Sequence, residues 1–173
     1  MAKAGAAPKA RRKKILNTLK VLSEDKGQTL MLRFIGSIDE DAALDKVKIS
    51  NRKNVVMDVG KIESINSCGG REWVKWIRAI DAKVEFVNCS SVFLDYANMI
   101  DGFVPKNGVI ESFNVPYYCE SCDHLSLRMF QSRDIRSQKG QIPETTQCDQ
   151  CKKEAEIDVM VPTFLKFLNT PTP

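Results

Sequence analysis

Four cysteines in two matched pairs are the residues of this sequence best suited to chemistry. Each pair has two intervening residues, which lets a tight turn aim both thiolates at one ion while backbone N–H groups stabilise their charge. Two such turns complete a tetrahedral shell of sulfur ligands, the arrangement typical of structural zinc sites. The spacing therefore predicts a Zn²⁺ site with the ligands Cys119, Cys122, Cys148 and Cys151.

Three other kinds of cysteine site compete with zinc. A redox dithiol is usually a single pair that opens a helix after a strand. Structural disulfides belong to secreted chains, and this sequence shows no secretory signal. An iron–sulfur cluster also accepts four thiolates, although two evenly matched pairs fit zinc better. Four cysteines fill the coordination shell, so the predicted zinc is structural rather than catalytic.

The segment around the cysteines predicts a small β-rich module, a zinc ribbon, over residues 116–168. Between the two pairs lie 25 residues, enough for a strand at His124–Gln131 and a polar connection at Ser132–Gln147. After the second pair, Glu156–Val161 predicts a closing strand. The apolar side chains of residues 164–168 then predict a short terminal helix or an apolar clasp.

A second candidate site lies in the stretch Asn54–Gly70, NVVMDVGKIESINSCGG. An apolar run carries an acid at Asp58 and leads through a short loop into a predicted helix, REWVKWIRAI. Asn66 and Ser67 are favourable residues for the start of that helix. Unpaired N–H groups and the helix dipole favour an anion there, and the stretch places the Ser67 hydroxyl at that position.

The segments on both sides of this stretch predict an α/β fold. Together with the strand and helix of Asn54–Gly70, they give the order β-β-α-β-α-β-α-β, a mixed sheet flanked by helices. The predicted flanking strands are Thr29–Ile35, Val84–Asn88 and Val109–Val115, and the predicted flanking helices are Asp41–Lys46 and Ser91–Met99.

This order and the Asn54–Gly70 stretch resemble the STAS domain of bacterial anti-sigma-factor antagonists over about residues 15–115. In that family, a strand ending in Asp is followed by an apolar pair and then Asp-Ser-(Ser/Thr)-Gly at the start of the second helix. The partner kinase phosphorylates the Ser or Thr after the second Asp, and the matching residue here is Ser67. The matching acid is replaced by Asn66, which can still cap the helix but carries no charge.

The resemblance implies a non-enzymatic module that docks on a signalling partner, such as an anti-sigma-type kinase, through the loop before the second helix. Phosphorylation of Ser67 would add about −2 charge there and switch docking. The residues that the resemblance places on this partner-binding surface are Gly36, Ser37, Asn66, Ser67 and Gly70. The zinc ribbon would extend the surface or mediate self-association. A STAS scaffold subunit without partner switching is an alternative.

Composition limits the remaining classes of function. At 173 residues and 43% apolar content, the chain suits one ordinary domain plus a small module. It has no apolar run long enough to span a membrane, which predicts a cytoplasmic protein. A single histidine, without a nucleophile–base pattern or a phosphate-binding glycine loop, argues against an enzyme.

Positive charge is concentrated in the first 14 residues, which hold six basic residues and no acid. The whole chain carries +4, so the remainder carries −2. The composition predicts a disordered basic tail at residues 1–14 and a flexible tail at 169–173. The tail and the ribbon also fit a nucleic-acid-associated protein, the alternative from another class. The ribbon argues against it, because acids outnumber bases between Cys119 and Cys151.

Overall fold

The computed structural model of this chain describes residues 18–49 and 52–169. The predicted basic tail lies outside these ranges, as do residues 170–173 of the predicted C-terminal tail. The described residues form two β-sheets with helices, which confirms the predicted α/β class with a mixed sheet. The strands are β1 Leu19–Lys26, β2 Thr29–Ile38, β3 Asn54–Ile65, β4 Lys83–Val87, β5 Gly108–Ile110, β6 Ser112–Cys119, β7 His124–Gln131, β8 Thr145–Gln147 and β9 Glu154–Ile157. The helices are α1 Ser67–Arg78, α2 Ser91–Met99, α3 Ser132–Ser137 and α4 Val161–Phe164, with 3₁₀ helices at Leu44–Lys46 and Leu165–Asn169.

The first sheet has the order β1-β2-β3-β4-β5. β1 and β2 form an antiparallel hairpin, and its tight turn contains Gly27 with a φ of 71°, a conformation that a Cβ would disfavour. The other neighbouring strands pair in parallel, so the chain crosses over between them. The crossovers contain the first 3₁₀ helix, α1 and α2 in turn. The predicted helix at Asp41–Lys46 is thus present only as a 3₁₀ turn.

Aromatic side chains hold α1 and α2 on the same face of the first sheet. Trp73 of α1 is fully buried, and its ring centre lies 5.5 Å from Phe34 of β2 and 5.7 Å from Phe93 of α2. Ile77, one turn further along α1, is fully buried as well, as the apolar spacing of this helix predicts. Burying one such side chain contributes roughly 1.5–3 kcal/mol to folding, so this cluster positions the N-terminus of α1 firmly.

The predicted strand Val109–Val115 is wrong, because the chain changes sheets at Glu111. The Glu111 N–H donates to the Phe86 carbonyl of β4, and the Glu111 carbonyl accepts from the N–H of Ser132, each at 2.8 Å. β5 therefore closes the first sheet, while β6 starts the second one at Ser112. Both halves of the segment are apolar, so the sequence pattern did not reveal that they pair with different neighbours. The second sheet begins before the predicted module boundary at residue 116.

The second sheet is antiparallel and has the order β7-β6-β9-β8. The predicted strand His124–Gln131 is confirmed as β7. The predicted polar connection contains α3 and β8, and the closing strand is β9 rather than Glu156–Val161. Pro162 lies in the first turn of α4, where its fixed φ suits a helix start, and this explains why the chain is helical from Val161 onward.

The two sheets share one hydrophobic core. Phe113 of β6 is fully buried, and its ring centre lies 6.1 Å from Phe164 and 5.2 Å from Phe167. α4 and the second 3₁₀ helix thus cover β6, which confirms the predicted apolar clasp. The buried residues of both sheets form one continuous cluster that also contains Cys119 and Cys148.

Candidate functional site

The cysteine pairs lie in two turns that have the same backbone shape. In each turn the fourth residue after the first cysteine has a positive φ, 54° at Asp123 and 63° at Lys152. Each turn connects adjacent antiparallel strands, so its cysteines lie at one end of the second sheet. The positions are Cys119 at the end of β6, Cys122 in the turn to β7, Cys148 directly after β8 and Cys151 in the turn to β9.

The four sulfur atoms converge on one point. All four Sγ atoms lie within 4.8 Å of one another. The Sγ atoms of Cys119 and Cys151 are 3.5 Å apart, and those of Cys122 and Cys148 are 3.6 Å apart. Four thiolates at about 2.3 Å from a tetrahedral Zn²⁺ would be separated by about 3.8 Å, whereas a disulfide needs about 2.0 Å. All four cysteines are free thiols, and their spacing fits a metal site.

The surroundings of these sulfurs favour four thiolates only when a cation balances them. Backbone N–H groups of Cys151 and Gln150 lower the pKa of Cys148 to about 6, against the effect of burial. Burial, followed by the neighbouring thiols, raises the pKa of Cys122 to about 12. Burial likewise raises the pKa of Cys119. Four negative charges this close need a positive ion to offset desolvation and repulsion.

The cysteine cluster could therefore hold a metal ion with four sulfur ligands. Within residues 18–49 and 52–169, no histidine or carboxylate belongs to this group, so His124 is outside it. A shell of four protein ligands leaves no coordination position for a substrate. An ion held by these four side chains would stabilise the fold.

Arg128 of β7 connects the second cysteine turn to the sheet through hydrogen bonds and an ion pair. Its guanidinium donates to the Asp149 carboxylate at 2.8 and 2.9 Å and to the Gln147 carbonyl at 2.5 Å. The Asp149 N–H in turn donates to the hydroxyl of buried Ser126 at 3.2 Å. Asp149 raises the pKa of Arg128, and Arg128 lowers the pKa of Asp149. The sequence indicated Arg128 only as a charge, because its partners lie in β8 and in the turn after it, about 20 residues further along the chain.

The predicted partner-binding residues Asn66 and Ser67 lie at the exposed start of α1. Asn66 is the N-cap, and its Oδ1 accepts from the Gly69 N–H at 2.7 Å. Its Nδ2 donates to the Glu40 carboxylate at 2.7 Å, which lowers the pKa of Glu40. Ser67 is the exposed first residue of the helix. A carboxylate therefore lies beside position 66, and it belongs to Glu40, a residue that the sequence did not single out.

Of the other predicted surface residues, Ser37 shares this surface, while Gly36 and Gly70 shape the backbone. The Ser64 hydroxyl donates to the Ser37 hydroxyl at 2.8 Å. Gly36 has a φ of 103°, and a Cβ there would meet the Thr18 carbonyl at 2.2 Å. Gly70 is buried, and a Cβ would face the Tyr96 ring at 3.1 Å, so Gly70 does not face a partner. We call the polar surface at the ends of β2 and β3 and the start of α1 the tip; it consists of Ser37, Glu40, Ser64, Asn66 and Ser67.

Gly69 sets how closely α1 approaches the end of β2. A Cβ on Gly69 would lie 2.1 Å from the Ile38 carbonyl oxygen and 2.7 Å from the Asp39 Cα. The Asn66 N–H donates to the same Ile38 carbonyl at 3.1 Å. Only a glycine allows this approach, which brings Glu40 within reach of Asn66.

Comparison of this chain with known proteins identified no relative. No family model, no curated protein and no solved structure matches this chain significantly. Within the part of the chain that the structure describes, no helix has both the length and the apolar character needed to cross a membrane.

Proposed function

We propose that this chain is a non-enzymatic, STAS-like protein-interaction module that docks on a signalling partner through the tip. The observation that carries the proposal is the exposed, hydrogen-bonded arrangement of Glu40, Asn66 and Ser67 on a closely packed backbone. A surface that is already ordered costs less conformational entropy when a partner binds. A kinase of the anti-sigma type is the class of partner that the resemblance suggests.

Phosphorylation of Ser67 is the proposed switch, because two opposing effects meet at this hydroxyl. The N-terminus of α1 favours a phosphate through its unpaired N–H groups and its dipole. The Glu40 carboxylate, held beside the tip by Asn66, would repel the same phosphate. A phosphate would therefore displace Glu40 and change both the charge and the shape of the tip, which would release the partner.

We further propose that the cysteine cluster binds a structural Zn²⁺ and that β6–β9 form a zinc ribbon. Four sulfur ligands at separations close to those of a tetrahedral zinc site support this assignment. The ion would supply the positive charge that the buried thiolates need. Its role is to fix the second sheet against the shared core.

A nucleic-acid function fits the second sheet less well than a protein partner does. Arg128, the one basic side chain on β7, is engaged by Asp149. The exposed side of β7 carries apolar residues rather than cations. Phosphate contacts normally come from unengaged lysine and arginine side chains.

The proposed switch can be tested by affinity capture from native cells with wild type, Ser67→Ala and Ser67→Asp. We expect wild type and Ser67→Ala to capture the same partner, and Ser67→Asp to capture it at least about tenfold less, because a charge beside Glu40 disturbs the tip. Mass spectrometry of the native protein should find phosphate on Ser67.

Ser23→Asp is the matched control, because Ser23 is also exposed but lies on β1, away from the tip. It should leave capture unchanged. Equal capture by Ser67→Asp and wild type would contradict the switch. Equal capture after Glu40→Lys as well would contradict docking through the tip.

A further inference from the structure

β7 exposes a row of large apolar side chains to solvent. Leu125, Leu127 and Met129 are 49%, 53% and 57% exposed, and alternate residues of a strand share one face. Tyr118 of β6, which pairs directly with Leu125 of β7, is 38% exposed and adds to this face. Contiguous exposed apolar side chains of this kind mark interaction surfaces.

The backbone groups of these same residues point away from the sheet. In an antiparallel strand, the N–H and C=O of one residue point to the same side, and the side alternates along the chain. Directly after β7, the Ser132 N–H donates to the carbonyl of Glu111, the residue directly before β6. On the other side of β6, the Asp158 N–H donates to the Pro116 carbonyl. Even-numbered residues of β7 therefore bond to β6. Odd-numbered residues direct their backbone groups to the outer edge, because β7 is the last strand of the sheet.

We propose that two copies of this chain pair antiparallel through β7, about a two-fold axis at Leu127. In this register Leu127 faces Leu127 of the second copy, and Leu125 faces Met129 of the second copy. Six apolar side chains then form one ladder, and the three outward-pointing residues of each copy exchange backbone hydrogen bonds. The two β7 strands join two four-stranded sheets into one of eight strands.

Charges on the opposite face of β7 suit the same register. Arg128 faces Ser126 of the second copy, so no two like charges lie opposite each other. The Ser126 hydroxyl accepts from the Asp149 N–H at 3.2 Å, so Asp149 lies next to Ser126. Arg128 of each copy therefore also approaches Asp149 of the other copy. Arg128 already donates to the Leu127 carbonyl at 3.2 Å, and that oxygen has a second lone pair for the partner strand.

The other sheet edges among the described residues lack these properties. β5 and β8 are only three residues long. β1 is long, but its C-terminal end carries the charged residues Glu24, Asp25 and Lys26. Charged side chains protect a sheet edge against pairing with another strand. Of its apolar residues, Leu22 is 42% exposed and stands without an equally exposed apolar neighbour on β1. β7 is the edge suited to a second copy.

Sedimentation velocity on the metal-loaded protein tests the dimer. One strand pair is a small interface beside the roughly 800 Å² per partner of standard complexes, so we expect dimers to appear between about 10 and 500 µM. Leu127→Lys should weaken dimerisation at least about tenfold, because it places two like charges opposite each other. Leu22→Lys, the same change on the other long edge, should leave dimerisation unchanged. Equal effects of the two substitutions would overturn the proposal.

Hydrogen exchange gives a second readout that does not depend on the variants folding well. The amides of Leu125, Leu127 and Met129 should exchange rapidly in dilute wild-type protein and slow at least about tenfold as dimers form. A protein that remains monomeric at about 500 µM, with these amides still exchanging rapidly, refutes the pairing. Dimers that form without protecting these amides also refute it. Because β7 and the tip belong to different sheets, either result leaves the proposed docking function untouched.

Discussion

Replacing Gly69 with alanine tests how the tip is built. Alanine is about 1 kcal/mol more favourable than glycine inside a helix, so propensity alone would make Gly69→Ala stabilising. The new Cβ, however, would lie 2.1 Å from the Ile38 carbonyl oxygen and 2.4 Å from its carbon. Backbone atoms cannot rotate away as a flexible side chain can, so α1 and the end of β2 must separate.

Inserting atoms into a packed region forces side-chain and backbone shifts that typically cost about 1–3 kcal/mol and occasionally more. We take the upper part of that range for a contact at 2.1 Å. After the gain in helix propensity, Gly69→Ala should destabilise the protein by about 2 kcal/mol or more. For a chain of this length, that lowers the melting temperature by roughly 4–8 °C.

The neighbouring Gly70→Ala is the matched control. It gains the same helix propensity, but its Cβ would meet the Tyr96 ring at 3.1 Å rather than backbone. We expect its stability to lie within about 1 kcal/mol of wild type. Thermal and urea unfolding of the three proteins would measure both differences. If Gly69→Ala proved as stable as Gly70→Ala, the close approach that positions Asn66 beside Glu40 would be refuted.

Two further predictions concern the cysteine cluster. Cys122→Ser should lose the bound ion, because it removes one of the four sulfur ligands. Cys89→Ser changes a buried cysteine outside the cluster and should keep one zinc per chain by elemental analysis. Equal metal content in the two variants would contradict the site. Metal binding at neutral pH should release at least about two protons per ion, since Cys119 and Cys122 have raised pKa values and are protonated without metal. The affinity for the metal should accordingly rise with pH and be lost as the pH falls, because protons compete for the thiolates. Calorimetry in buffers of different ionisation enthalpy measures both the affinity and the number of protons released. A pH-independent affinity would argue against thiolate ligands.

The sequence predicted best those elements whose pattern is local. β7 alternates from Leu125 to Met129, and the cysteine pairs carry their own turn geometry, so both were predicted from short windows. The divided strand at Glu111 was missed, because hydrogen-bond partners far along the chain decide where one sheet ends. α3 was missed within a polar segment, where six residues give too few apolar positions for a helical period to show.

The candidate site followed the same rule. The cysteine cluster was identified by spacing, and the N-cap role of Asn66 by residue type, since both signals lie within a few residues. Glu40 is 26 positions from Asn66, and Arg128 is 21 positions from Asp149. Such pairs form only when strand register and crossovers bring them together, and no local sequence pattern reveals which distant residues meet.

The change of sheet at Glu111 has a consequence for how this protein loses its structure. Glu111 is hydrogen-bonded to β4 of the first sheet and to Ser132, which directly follows β7 of the second, and one apolar cluster runs through both sheets. Unfolding one half alone would therefore break contacts of the other half as well. The chain is therefore expected to unfold in a single cooperative step. Any ion held by the cysteines would then stabilise the tip by mass action, although the two never touch. Metal supply would thus govern how much folded protein a cell contains.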